Sequence, residues 1–186
     1  MINVDPEKIR VLVPLAPGAE ELEAVTIIDL LRRAGFTVVV AGLEPGPVIC
    51  SRKTVIVPDR ELDDVVQEDF HLVVLPGGLP GADHLRDDAR VQSVIRRQSD
   101  AGRLVGAICA GPKALASAGI LQGRRVTAYT GALDASGLSS TGTPIEVDGG
   151  VVSGRGPGVA MDFALTLIEQ LAGPEARRAV EDPLLR

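Results

Sequence analysis

The chain has 186 residues, 45% hydrophobic and 24% charged, with 21 Gly and 13 Pro spread along its length; this excludes disordered and fibrous classes and suits one domain over residues 1–186. Its 19 basic and 25 acidic residues give a net charge of −6, and aromatic residues make up 2%, so it lacks the cationic footprint and stacking platforms of a nucleic-acid binder. No apolar run approaches the ~20 residues that span a bilayer, and Met1–Arg10 lacks the basic end and apolar middle of a secretory signal, so the expectation is a cytoplasmic protein with no membrane partner.

Ile9–Leu15 is the first short β-branched run that reads as a buried parallel strand, and Thr37–Ala41, Leu72–Leu75 and Leu104–Ile108 follow it. Between the first two, a helix is predicted from about Gly18 to Ala34, with Glu20, Glu21 and Glu23 in its first turn, Arg32 and Arg33 in its last, and Gly35 beyond. Val48–Pro58, which carries Cys50 and Arg52, reads as a small β excursion and a partner surface. Further helices are predicted over Ala89–Ala101 and Pro112–Ala118, then a site-lining or surface loop over Thr130–Pro144. A hairpin around Asp148-Gly149-Gly150 spans Ile145–Val152, and a long helix runs from Pro157 to Leu171, ended by Gly173-Pro174. Strand alternating with helix argues a doubly wound α/β sheet with helices on both faces.

Ligands of such sheets sit beyond the carboxyl ends of the strands, which directs attention to three exits: Pro17–Glu23, Pro76-Gly77-Gly78 and Ile108–Pro112. The last has the form of a nucleophile elbow, with Cys109 between a buried strand and a helix start and with small neighbours Ala107, Ala110 and Gly111. A thiol over a helix N-terminus is expected to have a lowered pKa, although most free cysteines are simply small buried hydrophobes. On a helical wheel the apolar arc of the first helix includes both Glu20 and Glu23, and either could point toward the sheet end as a protonated carboxyl beside the sulfur. Gly77-Gly78 is either a tight strand exit or a source of an exposed N–H which, with that of Ala110, would form an oxyanion site.

Two cysteines are too few for a disulfide framework or a cysteine zinc site, and no dinucleotide or phosphate loop and no zincin motif occurs, so no metal and no cofactor is expected. His71, at a strand start, is expected at the far end of the sheet, and His84 in a surface loop. A Cys-His-Asp hydrolase therefore lacks an obvious base.

Gly18–Glu23, Arg32–Gly35, Val40–Leu43, Cys50-Ser51-Arg52, Val74–Gly78, Ala107–Pro112 and Ser153–Gly158 occur in an order that resembles the ThiJ/PfpI superfamily, in the branch holding the parkinsonism-associated protein DJ-one and its bacterial ThiJ-like relatives. The resemblance covers nearly the whole chain. It implies a flavodoxin-like fold and a homodimer, with Glu23 as the protonated carboxyl on Cys109, Gly78 and Ala110 as N–H donors beside Gly77, and Arg33 and Arg52 near an anion-binding patch at the dimer interface. The implied activities are glutathione-independent glyoxalase action on a small aldehyde substrate, deglycation, redox sensing through cysteine sulfinate and holdase chaperoning. Two positions depart from the family pattern: Tyr129 stands where some members carry a histidine, and Ala110 where peptidase-like members carry one. The first weakens a proton-shuttle role for histidine, and the second argues against a protease or a glutamine amidotransferase. Leu22 and Val25 lie off the sheet-facing arc and, with the Val48–Pro58 arm, form the expected dimer surface.

Overall fold

The computed structural model describes residues 6–186. Strand β1 (Arg10–Leu15) sends Val11, Val13 and Leu15 into one hydrophobic layer and Leu12 into the other, since successive side chains of a strand face opposite ways. Burial on both faces explains why the run is apolar without alternation. Helix α1 (Glu21–Arg33) buries Ala24, Ile27, Ile28 and Leu31, and Arg32 and Arg33 stand in its last turn, where the helix dipole favours positive charge. It begins later than Gly18, because the amides of Gly18 and Ala19 are taken by the carbonyls of Ile49 and Ala16 and the chain is still turning there.

Strand β2 (Thr37–Gly42) leads to an antiparallel ribbon of β3 (Val48–Ile49) and β4 (Val55–Ile56), which is the expected excursion. Short elements β5 (Arg60–Glu61) and α2 (Leu62–Val65) precede β6 (Leu72–Leu75), α3 (Gly81–Asp87) and α4 (Ala89–Asp100). Asp88 caps α4 by accepting from the amides of Arg90 and Val91, which satisfies donors left free at a helix start. After β7 (Leu104–Ile108) come α5 (Pro112–Ser117) and the hairpin of β8 (Ile145–Asp148) with β9 (Val151–Gly154). The predicted long helix starts later than Pro157, and a further helix follows it. A 3-10 turn over Pro157–Val159 precedes α6 (Ala160–Ala172), and α7 (Pro174–Glu181) starts anew after Gly173. Helix α6 ends at Gly173 as expected, and Pro174 opens the next helix, a position where its missing N–H costs nothing.

The main sheet has seven strands in the order β5-β2-β1-β6-β7-β9-β8, parallel except for β8. Without the two edge strands, β1, β2, β6, β7 and β9 follow the 2-1-3-4-5 order of flavodoxin-like folds. One hydrophobic layer packs α1 and α6 on the sheet through Ile27, Leu31, Phe163 and Leu167, and the other packs α2 to α5 through Leu62, Leu85, Ile95 and Leu115. The strand order reverses between β1 and β6, which opens a crevice at their carboxyl ends.

Candidate active site

The three strand exits named from the sequence meet at this crevice. Cys109 follows β7 with φ 61°, in the left-handed region that a side chain enters at a cost of about 1–2 kcal/mol. Its backbone is held on both sides: the Cys109 amide donates to Gly154 O at 2.9 Å, and the Tyr129 amide donates to Cys109 O at 2.8 Å. These bonds to β9 and to residue 129 keep the thiol at the elbow. Cys109 is 9% exposed, so the residue is buried close to the surface of the crevice.

Glu23 lies in the first turn of α1 and is 0% exposed. Its Oε2 accepts from the Gly77 amide at 2.7 Å, its carboxyl hydrogen-bonds the Cys109 thiol, and among the described residues Oε1 has no hydrogen-bond partner. Gly77 is what lets these groups converge. A Cβ there would stand 2.7 Å from Cys109 Cβ and 2.8 Å from both the Ala110 nitrogen and Glu23 Oε2. The amides of Ala110 and Gly78 hydrogen-bond the sulfur. The wheel left Glu20 and Glu23 open; in the structure Glu23 takes the position at the sulfur, while Glu20 accepts from the Ser51 hydroxyl at 2.8 Å.

Burial pushes the Glu23 carboxyl up to about 7, against the pull of the Gly77 and Cys109 hydrogen bonds. Burial and then the Glu23 charge push the Cys109 thiol up to about 12, against the Ala110 and Gly78 amides. The expectation of a thiol lowered by a helix dipole is corrected here: α5 is a single short helix of 6 residues, and desolvation with the adjacent carboxylate outweighs it. The shifts belong to one pair that resists carrying two negative charges. Once Glu23 is neutral, the repulsion is gone and the two amides remain aimed at the sulfur.

The neighbouring carboxyl behaves in the opposite way. Although burial works against it, Glu21 is held down to about 2 by its own amide, those of Arg52 and Thr54, and the Ser51 hydroxyl. These bonds fasten the β3–β4 arm to the start of α1, with Arg52 N–H at 2.9 Å and Thr54 N–H at 3.2 Å from Glu21 Oε1. Cys50 is buried in this arm, and its thiol is raised by burial and by the charges of Glu21 and Glu20. The Arg52 side chain is exposed on the same arm. Arg33 is not brought to Cys109 within one chain: it ends α1, roughly 15 Å along the helix from Glu23, and pairs with Asp29 at 2.7 Å.

His71 stands at the far end of the sheet, where its Nδ1 accepts from the Arg10 amide at 3.1 Å. His84 sits on α3 and not in a loop, exposed, with Nδ1 3.1 Å from Pro17 O. Tyr129 is 57% exposed and borders a cavity of ≈ 320 Å³ together with Thr130 and Arg155–Val159. Sequence reasoning gave Arg155 no individual role, and its only signal was its place in the Ser153–Gly158 block. Among the described residues, no group of three or more His, Cys, Asp or Glu is placed to hold a metal ion, and no helix is long and apolar enough to cross a membrane.

The chain is similar to known proteins. "Parkinson disease protein 7 homolog" of Danio rerio is 43% identical over 182 residues, covering 95% of this chain and 96% of the relative. "Glutathione-independent glyoxalase DJR-1.2" of Caenorhabditis elegans is 36% identical over 176 residues, covering 93% and 94%. A solved structure of Toxoplasma gondii DJ-1, described as oxidized, superposes with a TM-score of 0.91 at 37% identity and covers 95% of this chain and 98% of that one. Residues 9–170 match the DJ-1/PfpI family, and this chain belongs to that family.

Proposed function

We propose that the chain is a glutathione-independent glyoxalase acting on small α-oxoaldehydes or their early amino adducts, with Cys109 as nucleophile and Glu23 as proton carrier. The observation that carries this reading is a fully buried carboxyl, raised to about 7, beside a cysteine at a strained strand exit. As the sulfur attacks, ionised Glu23 takes the thiol proton on Oε1, since Oε2 already accepts from Gly77, and the sulfur faces two amide donors. The thiolate adds to the aldehyde carbon of methylglyoxal, forming the S–C bond, and the aldehyde oxygen takes the proton from Glu23 to give a hemithioacetal. Glu23 then removes the hydrogen on that carbon and returns it to the neighbouring carbonyl carbon through an enediol, leaving a thioester. Water releases lactate and regenerates the thiol, so methylglyoxal plus water becomes lactate with no net oxidation. The amides of Gly78 and Ala110 stabilise negative charge on the oxygen during addition. The glyoxalase named in Caenorhabditis elegans supports this class of reaction.

Methylglyoxal loss and lactate formation without glutathione, measured for the wild type and for Cys109→Ser, test the reading. Lactate formation that disappears in the variant supports it, and absence of Cys109-dependent turnover refutes it. In the latter case the same pair suits a redox sensor, in which protonated Glu23 donates to an oxidised sulfur; the oxidized Toxoplasma structure favours keeping this alternative.

We also infer a homodimer through α1 and the arm. Leu22, Val25, Ile49 and Val55 are each at least half exposed, on elements tied together by Glu21. Val25→Glu should convert a sedimenting dimer into a monomer; a wild type that is monomeric at micromolar concentration refutes the inference.

A further inference from the structure

The cavity beside Tyr129 has a feature the reaction above does not use. One of its walls is bonded to the backbone of Cys109, the Tyr129 amide donating to Cys109 O, and the other follows directly on Gly154, whose carbonyl accepts from Cys109 N–H. At ≈ 320 Å³ it lies within the range of small-molecule sites. Its one cation is Arg155, whose side chain is exposed. Among the described residues the Arg155 guanidinium meets the Gly142 carbonyl at 3.1 Å and no carboxylate.

Several other arginines of this acidic chain are committed to carboxylates. Arg33 holds Asp29, Arg90 holds Asp63 and Asp88, Arg103 holds Asp69, and Arg177 holds Glu169 and Glu181. A second cavity of similar size contains Arg86 and Lys113, but both are matched by Asp83, and Arg86 also by Asp87. The Arg155 groove thus combines a guanidinium without a carboxylate partner, the Tyr129 and Thr130 side chains and a backbone hydrogen bond from Tyr129 to Cys109. A guanidinium with free N–H groups suits a carboxylate, which it binds through paired hydrogen bonds. The net charge of −6 opposes anions at long range, so attraction at this site must be local.

We propose that Arg155, with Tyr129 and Thr130, forms an anion-recognition subsite that directs Cys109 toward α-oxoaldehydes carrying a carboxylate. The substrate preference rests on the reaction proposed above, whereas the charge recognition does not, and the two are measured separately. In a Cys50→Ser background, Cys109 is alkylated with iodoacetate and with iodoacetamide, reagents that differ in charge and little in size. The ratio of the two rates should exceed that of free glutathione, fall about tenfold in Arg155→Met, and recover in part in Arg155→Lys. A ratio unchanged by Arg155→Met, or a thiol that neither reagent reaches, overturns the subsite whether or not any aldehyde is consumed.

In turnover, Arg155→Met should raise KM for 4,5-dioxopentanoate about tenfold, with kcat and the methylglyoxal kinetics within about twofold. Equal effects on the acid and on its neutral methyl ester overturn the preference. If the alkylation ratio falls while no aldehyde is turned over, the charge recognition stands and the reaction falls. If methylglyoxal is turned over and the ratio is unchanged, the reaction stands and the subsite falls.

Discussion

Cys50 and Cys109 both lie on buried turns beside the start of α1, and both thiols are pushed above their ordinary value, yet the negative charge next to them differs in kind. Near Cys50 stands Glu21, held down to about 2 by amides and a hydroxyl, so its charge is fixed at any physiological pH. Near Cys109 stands Glu23, raised to about 7 by burial, so its charge is removed by one proton. Burial alone therefore does not make a cysteine inert. What separates the two is whether the neighbouring carboxyl has donors enough to stay ionised.

The largest effect that could break this comparison is catalytic. Glu23→Gln should lower methylglyoxal turnover by about 10²-fold or more, the usual scale for a lost acid–base group, while Glu20→Gln should change it by less than about threefold. Kinetics of both variants decide, and equal losses would mean that the carboxyl facing the sulfur has been misassigned.

Next in size is the pH dependence of stability, which should run in opposite directions for the two regions. Between pH 4.5 and about 7 the folded protein keeps the Glu23 proton that the unfolded chain has released, so stability falls as pH rises, by about 3 kcal/mol across the window. Urea unfolding should show this slope in the wild type and lose it in Glu23→Gln. Glu21 acts at lower pH: its contribution is present above 4.5 and disappears as pH falls toward about 2. Glu21→Gln should therefore flatten the acid limb and leave the upper window unchanged.

The smallest effect concerns oxidation. Mild peroxide should convert Cys109 to sulfinate about tenfold faster than Cys50, since Glu23 can accept the thiol proton as the sulfur reacts, whereas Glu21 beside Cys50 is too weak a base to do so. Peptide mass mapping that finds Cys50 oxidised first would reverse the ordering.

Much of the frame was legible because its elements carry strong local signals. Ile9–Leu15 and Leu104–Ile108 are apolar runs bounded by turns, and Asp148-Gly149-Gly150 marks the hairpin whose strands pair Asp148 with Val151. Helix α3 was missed because Pro80 and Gly81 at its start read as loop, and α7 because Gly173-Pro174 reads equally as an end or a beginning. The position of Cys109 could be read from its elbow. The choice between Glu20 and Glu23 could not be read from one helix, because it is made by the Gly77 amide, 54 residues away in sequence. The direction of the thiol shift was misjudged for a related reason: sequence shows the helix start after Cys109 but not the depth of burial or the carboxyl packed on the sulfur.

The central claim is that Cys109 and Glu23 titrate as one coupled pair, in which the carboxyl gives up its proton near pH 7 and the thiol is held protonated beside the charge that forms. Infrared difference spectra of the Cys50→Ser protein, titrated through about pH 7, observe both groups at once, with Glu23→Gln assigning the carboxyl band. The account predicts that the protonated C=O stretch of Glu23 disappears near pH 7 while the S–H stretch of Cys109 persists. A C=O band already lost in the ordinary carboxylate range, or an S–H stretch that disappears first, would contradict it.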